Sequence, residues 1–342
     1  MERYEHGGDI YSRQIAYDFS ANINPLGLPG GVRKALLSHV DDCVHYPDVS
    51  AARLRTAIAE QEGIRAEQVV CGNGAADLIY RIVWTLKPQK ALLLAPTFSE
   101  YERALRSVGC DVGFHMLREE EEFALREDFL DKIDGNDMIF LCNPNNPTGR
   151  TIPERLLRQI AARCRESGCV LVVDACFWDF VGNGSSAGEK TGLGKNIMVL
   201  KAFTKFYAMP GLRLGYVLCG DEALAERIRG CGQCWAVSVP AQVAGMAALK
   251  ETEYVEATLK LIPKEREYLF NALNGLGMKV YPSEANFLLF RCDRPLDRML
   301  LKEGIAIRSC ENYEGLEYGF FRIAVRSHDE NEALIRAIER VL

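Results

Sequence analysis

Six short apolar runs, at 69–71, 91–95, 138–142, 170–174, 197–200 and 215–219, alternate with amphipathic stretches between about residues 68 and 220. Strands that read as unbroken apolar runs are buried on both faces, and amphipathic helices between them supply the cover. The stretches 75–86, 99–108 and 153–166 carry helical spacing, with Pro153 suited to a first helical turn. The pattern predicts an α/β protein with a mostly parallel sheet. After about residue 235 a long amphipathic stretch at 240–274 precedes strand-like segments at 285–291, 305–309 and 319–325 and a final helix at 329–342. That change of texture predicts a second, smaller α+β layer, and 342 residues leave room for it.

Composition narrows the function classes. Lys plus Arg is 41 against 47 for Asp plus Glu, a net charge of −6, which offers no general field for a polyanion. No nucleic-acid partner is expected. The longest apolar runs are strand-sized and the N-terminus, MERYEHGGDIYSRQ, has no apolar signal stretch, so no membrane partner is expected either. Twelve cysteines are spread through the chain, about 3.5% against the roughly 8–10% of disulfide scaffolds. Cys71, Cys142, Cys169 and Cys219 sit in apolar runs, where a reduced thiol acts as a small hydrophobe. A reducing cytoplasm is the expected compartment. The lone CGQC at Cys231 and Cys234 lacks the second pair a zinc site needs, and no metal is expected. The charge run from Arg118 to Glu122 reads as a solvated loop.

Four motifs carry chemistry. VVCGNGAADLI at 69–79 is a strand ending in a Gly-rich turn that opens a helix, a geometry that suits a phosphate. It begins like GxGxxG but places Asp77 where the third glycine belongs, and no Walker lysine follows. A plain strand-to-helix turn fits it equally well. CNPNNPTG at 142–149 makes a rigid polar loop at the edge of a parallel sheet, where α/β proteins bind ligands. In VLVVDACF at 170–177, Asp174 ends an apolar strand, so its carboxylate needs either a cation or a helix to cap. VLKAFTKFYAMPGLRLGY at 199–216 places Lys205 eight residues before Arg213, as a Schiff-base amine beside a phosphate-binding guanidinium would be.

In this order the motifs resemble the fold-type I aminotransferases of class I and II, which use pyridoxal 5'-phosphate. The resemblance covers nearly the whole chain. It implies a three-layer αβα large domain at 40–235, a small domain built from 1–39 and 236–342, and a homodimer. Lys205 would be the Schiff-base lysine and Asp174 the partner of the pyridine nitrogen. Asn146 would bond the ring 3-oxygen and Phe98 would stack on the ring. Gly74, Ala75, Ala76 and Arg213 would hold the phosphate, and Tyr46 would reach the neighbouring subunit's cofactor. Ala202 and Ala75 stand where many relatives carry hydroxyls, and Phe177 replaces a tyrosine.

HGG at 6–8 and DFSANINPLG at 18–27 resemble threonine-phosphate decarboxylases of cobalamin synthesis, with histidinol-phosphate aminotransferases as the nearest relatives. By that resemblance the substrate is a phosphorylated amino acid or amine, with decarboxylation of threonine phosphate the expected reaction and transamination, as in histidinol-phosphate or related class I/II aminotransferases, the alternative. Arg322 would hold its carboxylate, and His6, Asn24 and Arg308 would approach its phosphate; Arg326 has no assigned role. The reading from another class is a Rossmann-like nucleotide-binding module resting on GNGAAD, which needs no Lys205.

Overall fold

The computed structural model describes residues 6–12, 14–182, 188 and 192–342. Its centre is a seven-stranded sheet built from β2 (Val69–Gly72), β3 (Lys90–Ala95), β4 (Asp111–Met116), β5 (Met138–Cys142), β6 (Val170–Asp174), β7 (Ile197–Ala202) and β8 (Gly215–Cys219). The strand order is β2-β8-β7-β6-β5-β3-β4. Only β8 runs against its neighbours, so the predicted mostly parallel sheet is the one observed. All six apolar runs become strands. The sequence reading missed β4, an edge strand whose DVGFHM is half-exposed and too mixed to register as apolar.

Side chains alternate between the two faces of each strand. Leu93, Phe140, Val172, Leu200 and Val217 pack on one face against α3 (Gly74–Leu86), α4 (Glu100–Arg106) and α7 (Glu222–Gly230). Ile139, Leu141, Leu171 and Val173 face α5 (Glu154–Ser167) on the other side. Three layers result. The same second face carries α1 (Gly30–Ser38), α2 (Ala52–Glu62) and α8 (Val239–Ala248), whose Val32, Leu54 and Ala244 share a core with Val199 and Leu218. The expected domain limits at 40 and 235 therefore cut through one apolar cluster. The stretch read as a single element at 240–274 is two helices, α8 and α9 (Thr252–Gly275), broken at Leu249–Glu251.

The chain's C-terminal part forms an antiparallel sheet of β9 (Lys279–Val280), β10 (Phe287–Arg291), β12 (Arg308–Ser309) and β13 (Phe320–Ala324), in the order β12-β13-β10-β9. It is covered by α9, α10 (Leu296–Lys302) and α11 (His328–Val341) around Phe287, Phe290, Phe321, Leu334 and Ile338. The segment read as one strand at 305–309 divides. β11 (Ile305–Ala306) pairs in parallel with β1 (Tyr17–Asp18), while β12 joins the sheet. Segments nearly 290 positions apart thus meet in one parallel pair.

Candidate active site

The carboxyl edge of the parallel strands is where the chain must turn, and backbone groups there lack sheet partners; ligand clefts of open α/β sheets form at this edge. A cavity of about 450 Å³ lies there, between the large sheet and β12–β13. β7 ends into a single helical turn, α6 (Phe203–Phe206), which carries Lys205. Lys205 therefore sits on a helix rather than on the irregular turn its motif suggests. Because β8 is antiparallel, its first residues lie at this same edge and bring Arg213 to the cleft.

Lys205 is an amine whose surroundings make its proton easier to lose. Burial comes first and the Arg322 guanidinium second in bringing it down to about 8 from an ordinary 10.5. An uncharged lysine is the nucleophile that carbonyl chemistry requires. Asp174 ends β6 fully enclosed: its Oδ2 accepts from the Tyr101 hydroxyl at 2.6 Å and its Oδ1 from the Cys176 amide at 3.0 Å. Burial pushes its carboxyl up, while those two bonds oppose the shift. Tyr101, stacked on Phe140 at 5.0 Å, was not singled out in the sequence; only its place three residues after Phe98 could have marked it.

The helix α3 begins at Gly74 with φ +80°, and a Cβ there would come within 2.6 Å of the Arg213 guanidinium. Glycine lets that guanidinium lie over the helix start, where Gly74, Ala75 and Ala76 have amides without intrahelical partners. Asp77 is explained by the same turn. It accepts from the Asn73 amide at 2.9 Å and from Arg81 Nε at 3.0 Å, so the missing third glycine is a helix-start brace balanced by an arginine.

The loop 142–149 divides its asparagines between two tasks. Asn145 holds the loop, accepting from Thr97 Oγ1 at 2.9 Å and donating to the Pro96 carbonyl and Thr148 Oγ1, each at 3.0 Å. Asn143 accepts from the Ile152 amide. Asn146 is left to line the cleft, its Oδ1 accepting from Arg322 Nη1 and, at 3.4 Å, from the Tyr313 hydroxyl. Arg322 Nη2 donates to the Ser20 carbonyl at 2.7 Å, while its Nε is buried with no partner. Arg308 pairs with it in register across β12–β13 and donates to Asn312 Oδ1 at 2.7 Å. Phe98 and His6 face each other at 5.7 Å on the cleft's wall.

Two expected ligands lie elsewhere. Asn24 is not in the cleft: its Nδ2 donates to the Phe206 carbonyl at 2.8 Å and to Thr258 Oγ1 at 2.7 Å. Its amide also donates to the Lys205 carbonyl. Asn24 is a brace for the helix that carries Lys205, and Asn22, two residues earlier, lines the cleft with a buried, unpartnered Oδ1. Tyr46 is 79% exposed and stacks on Trp235 at 4.5 Å, away from this chain's own cleft. Arg326 closes the start of α11 through Glu330 at 2.7 Å. All twelve cysteines are free, Cys176 lining the cleft. Among the described residues no cluster suits a metal, and no helix is long and apolar enough to cross a membrane.

Comparison with known proteins places this geometry. A threonine-phosphate decarboxylase of Salmonella typhimurium is 39% identical over 98% of this chain and 96% of its own length. Among solved structures, a histidinol-phosphate aminotransferase from Clostridium acetobutylicum superimposes with a TM-score of 0.87 at 32% identity, covering 95% of this chain and 98% of that one. An L-threonine-O-3-phosphate decarboxylase from Porphyromonas gingivalis gives 0.84 at 25% identity, with the same coverage. The family model for aminotransferases of class I and II matches residues 15–338, and the chain belongs to that family.

Proposed function

We propose that the protein is a pyridoxal-phosphate-dependent L-threonine-O-3-phosphate decarboxylase. The observation that carries the reading is full-length likeness to the Salmonella decarboxylase, joined to a cleft that puts Lys205 and Asp174 beside two in-register arginines. The residues fit the cofactor. At Gly74 the missing Cβ lets the Arg213 guanidinium lie over the start of α3, beside amides that suit an anion. Asp174 is a buried carboxylate whose cost a cationic ring nitrogen would offset. Lys205 is an amine poised to join a carbonyl.

When bound, pyridoxal phosphate supplies the sink for the electron pair released at the substrate's Cα. The chain's own residues do the rest. Gly74, Ala75, Ala76 and Arg213 hold the phosphate, Phe98 packs on the ring, and Asn146 bonds the ring oxygen. Tyr101 fixes Asp174 through Oδ2, leaving the carboxylate oriented as an acceptor. Arg322 holds the substrate carboxylate, and Arg308 with His6 takes the substrate phosphate. Which bond at Cα is aligned for cleavage follows from how these two anion sites hold the substrate. Lys205, as a free amine after exchange, carries the proton to or from Cα.

Tyr46, exposed among Val40, Val44 and Val49, supports a homodimer in which it reaches the partner's cofactor phosphate. Twelve free thiols support the cytoplasm. We place the small domain at 1–39 and 236–342, with α1 and α8 packed on the large sheet. A second reading, histidinol-phosphate aminotransferase, is favoured by the superposition on the clostridial enzyme. Holoenzyme given O-phosphothreonine, and separately histidinol phosphate with 2-oxoglutarate, decides between them. Release of CO2 from the first alone is expected; glutamate formed from the second alone overturns the decarboxylase.

A further inference from the structure

A carboxylate stands in a cleft otherwise rich in cations. Glu100 opens α4, is 6% exposed, and lines the cleft with Arg308 and Arg322. Its Oε1 lies 2.9 Å from His6 Nε2 and 3.6 Å from Arg103 Nη1, and its Oε2 accepts from the Tyr80 hydroxyl at 3.4 Å. A bare carboxylate beside an anion's site weakens that site. This one is tied on both oxygens, to its own helix and to two other parts of the chain.

The consequence lies in the imidazole. An ionised carboxylate only accepts, so His6 Nε2 must carry its hydrogen. In a neutral ring Nδ1 would then present a lone pair, which repels an anion. A ring with hydrogens on both nitrogens donates to the carboxylate through Nε2 and to a phosphate through Nδ1. The hydrogen bond from His6 is the first cause holding the Glu100 carboxyl below its usual range, against burial.

We propose that Glu100 is a positioning residue for the substrate's phosphate, holding His6 through Nε2 so that Nδ1 offers a phosphate monoester an N–H rather than a lone pair. The proposal rests on the phosphorylated-substrate reading above. Glu100 touches no reacting atom and acts only through His6. It explains why an acidic residue occurs beside an arginine-lined pocket: it sets the hydrogen-bonding sense of the imidazole there.

The test uses holoenzyme, O-phosphothreonine as substrate, inorganic phosphate as competing ligand and unphosphorylated threonine as reference. Glu100→Gln keeps an acceptor for Nε2 but removes the charge. The KM for O-phosphothreonine and the inhibition constant of inorganic phosphate should both rise about fivefold or more, with kcat carrying the smaller share. In a His6→Asn background, adding Glu100→Gln should change neither by more than about twofold. Unchanged constants in Glu100→Gln, or the same penalty without His6, overturn the inference and leave the decarboxylase reading standing. If Glu100→Gln does not hold cofactor, His6→Asn alone decides: it must show the fivefold loss, and wild-type constants overturn the inference. A wild-type enzyme that neither prefers O-phosphothreonine to threonine nor is inhibited by phosphate overturns the substrate reading itself.

Discussion

Lys201 and Lys205 lie four residues apart, one at the end of β7 and one on the turn that follows, the first buried and the second half-buried, and their surroundings oppose each other. Lys201 points to the face carrying α2, where its Nζ meets Glu62 Oε1 at 2.8 Å and Asp179 Oδ1 at 2.9 Å, with Tyr216 also donating to Glu62 at 2.6 Å. Burial alone would discharge it, but Asp179, Tyr216 and Glu62 together push it well above its ordinary value. Lys205 points to the cleft, and there Arg322 and Arg213 add to burial. One lysine is locked as a cation and holds helix to sheet; the other gives up its proton far more easily than an ordinary lysine. Residue type is the same, so the difference lies in the surroundings, and surroundings are a property of the fold.

The largest expected effect comes from the amine. Lys205→Ala should abolish the visible absorbance of bound cofactor and lower kcat at least about a thousandfold; retention of both would end the assignment of this lysine. Lys201→Met breaks the other environment. It strands the Glu62 carboxylate beside Asp179, and removing one partner of a buried pair costs about 3–5 kcal/mol. A large fall in Tm is expected, and an unchanged melting curve would show that the cluster is not a structural brace.

A subtler effect is the pH dependence. With Lys205 at about 8 in the fold and 10.5 as its ordinary value, the unfolded chain binds a proton between those limits that the folded apoprotein does not. Apoprotein stability therefore rises with pH across that window through this group. Capture of pyridoxal phosphate by apoprotein should speed up with pH and level off above about 8. Arg322→Gln removes a cation from beside the amine and should move that plateau to higher pH; a plateau that stays put would assign the shift to burial alone.

The same contrast shows what was legible beforehand. Lys205, Asp174, Asn146 and Arg213 stand out because each occupies a fixed place in an uncommon word, and the structure brings all four to one cleft. Lys201 is one residue of VLKAF with nothing in that word to mark it, because Glu62 and Asp179 are 139 and 22 positions away. Asn22 and Asn24 share one short word, ANIN, and only the pairing of Asn24 with Phe206 and Thr258 separates brace from cleft wall. β4 escaped notice because an edge strand need not be apolar on both sides. The helices α1 and α8 carry apolar faces that the sequence reveals, but which sheet those faces meet depends on tertiary packing.

The contacts of Asn24 and Arg322 also set the order in which the site can come into being. Asn24 reaches Phe206 across 182 positions, and Arg322 reaches the Ser20 carbonyl across 302. A growing chain that already holds Lys205 and Asp174 still has no Arg322 to close the N-terminal segment over them. Contacts of such sequence separation form late, since loop closure must precede them. A nascent or C-terminally clipped chain can thus own every cleft residue of the large sheet and still leave the cleft open on the side that Arg308 and Arg322 line.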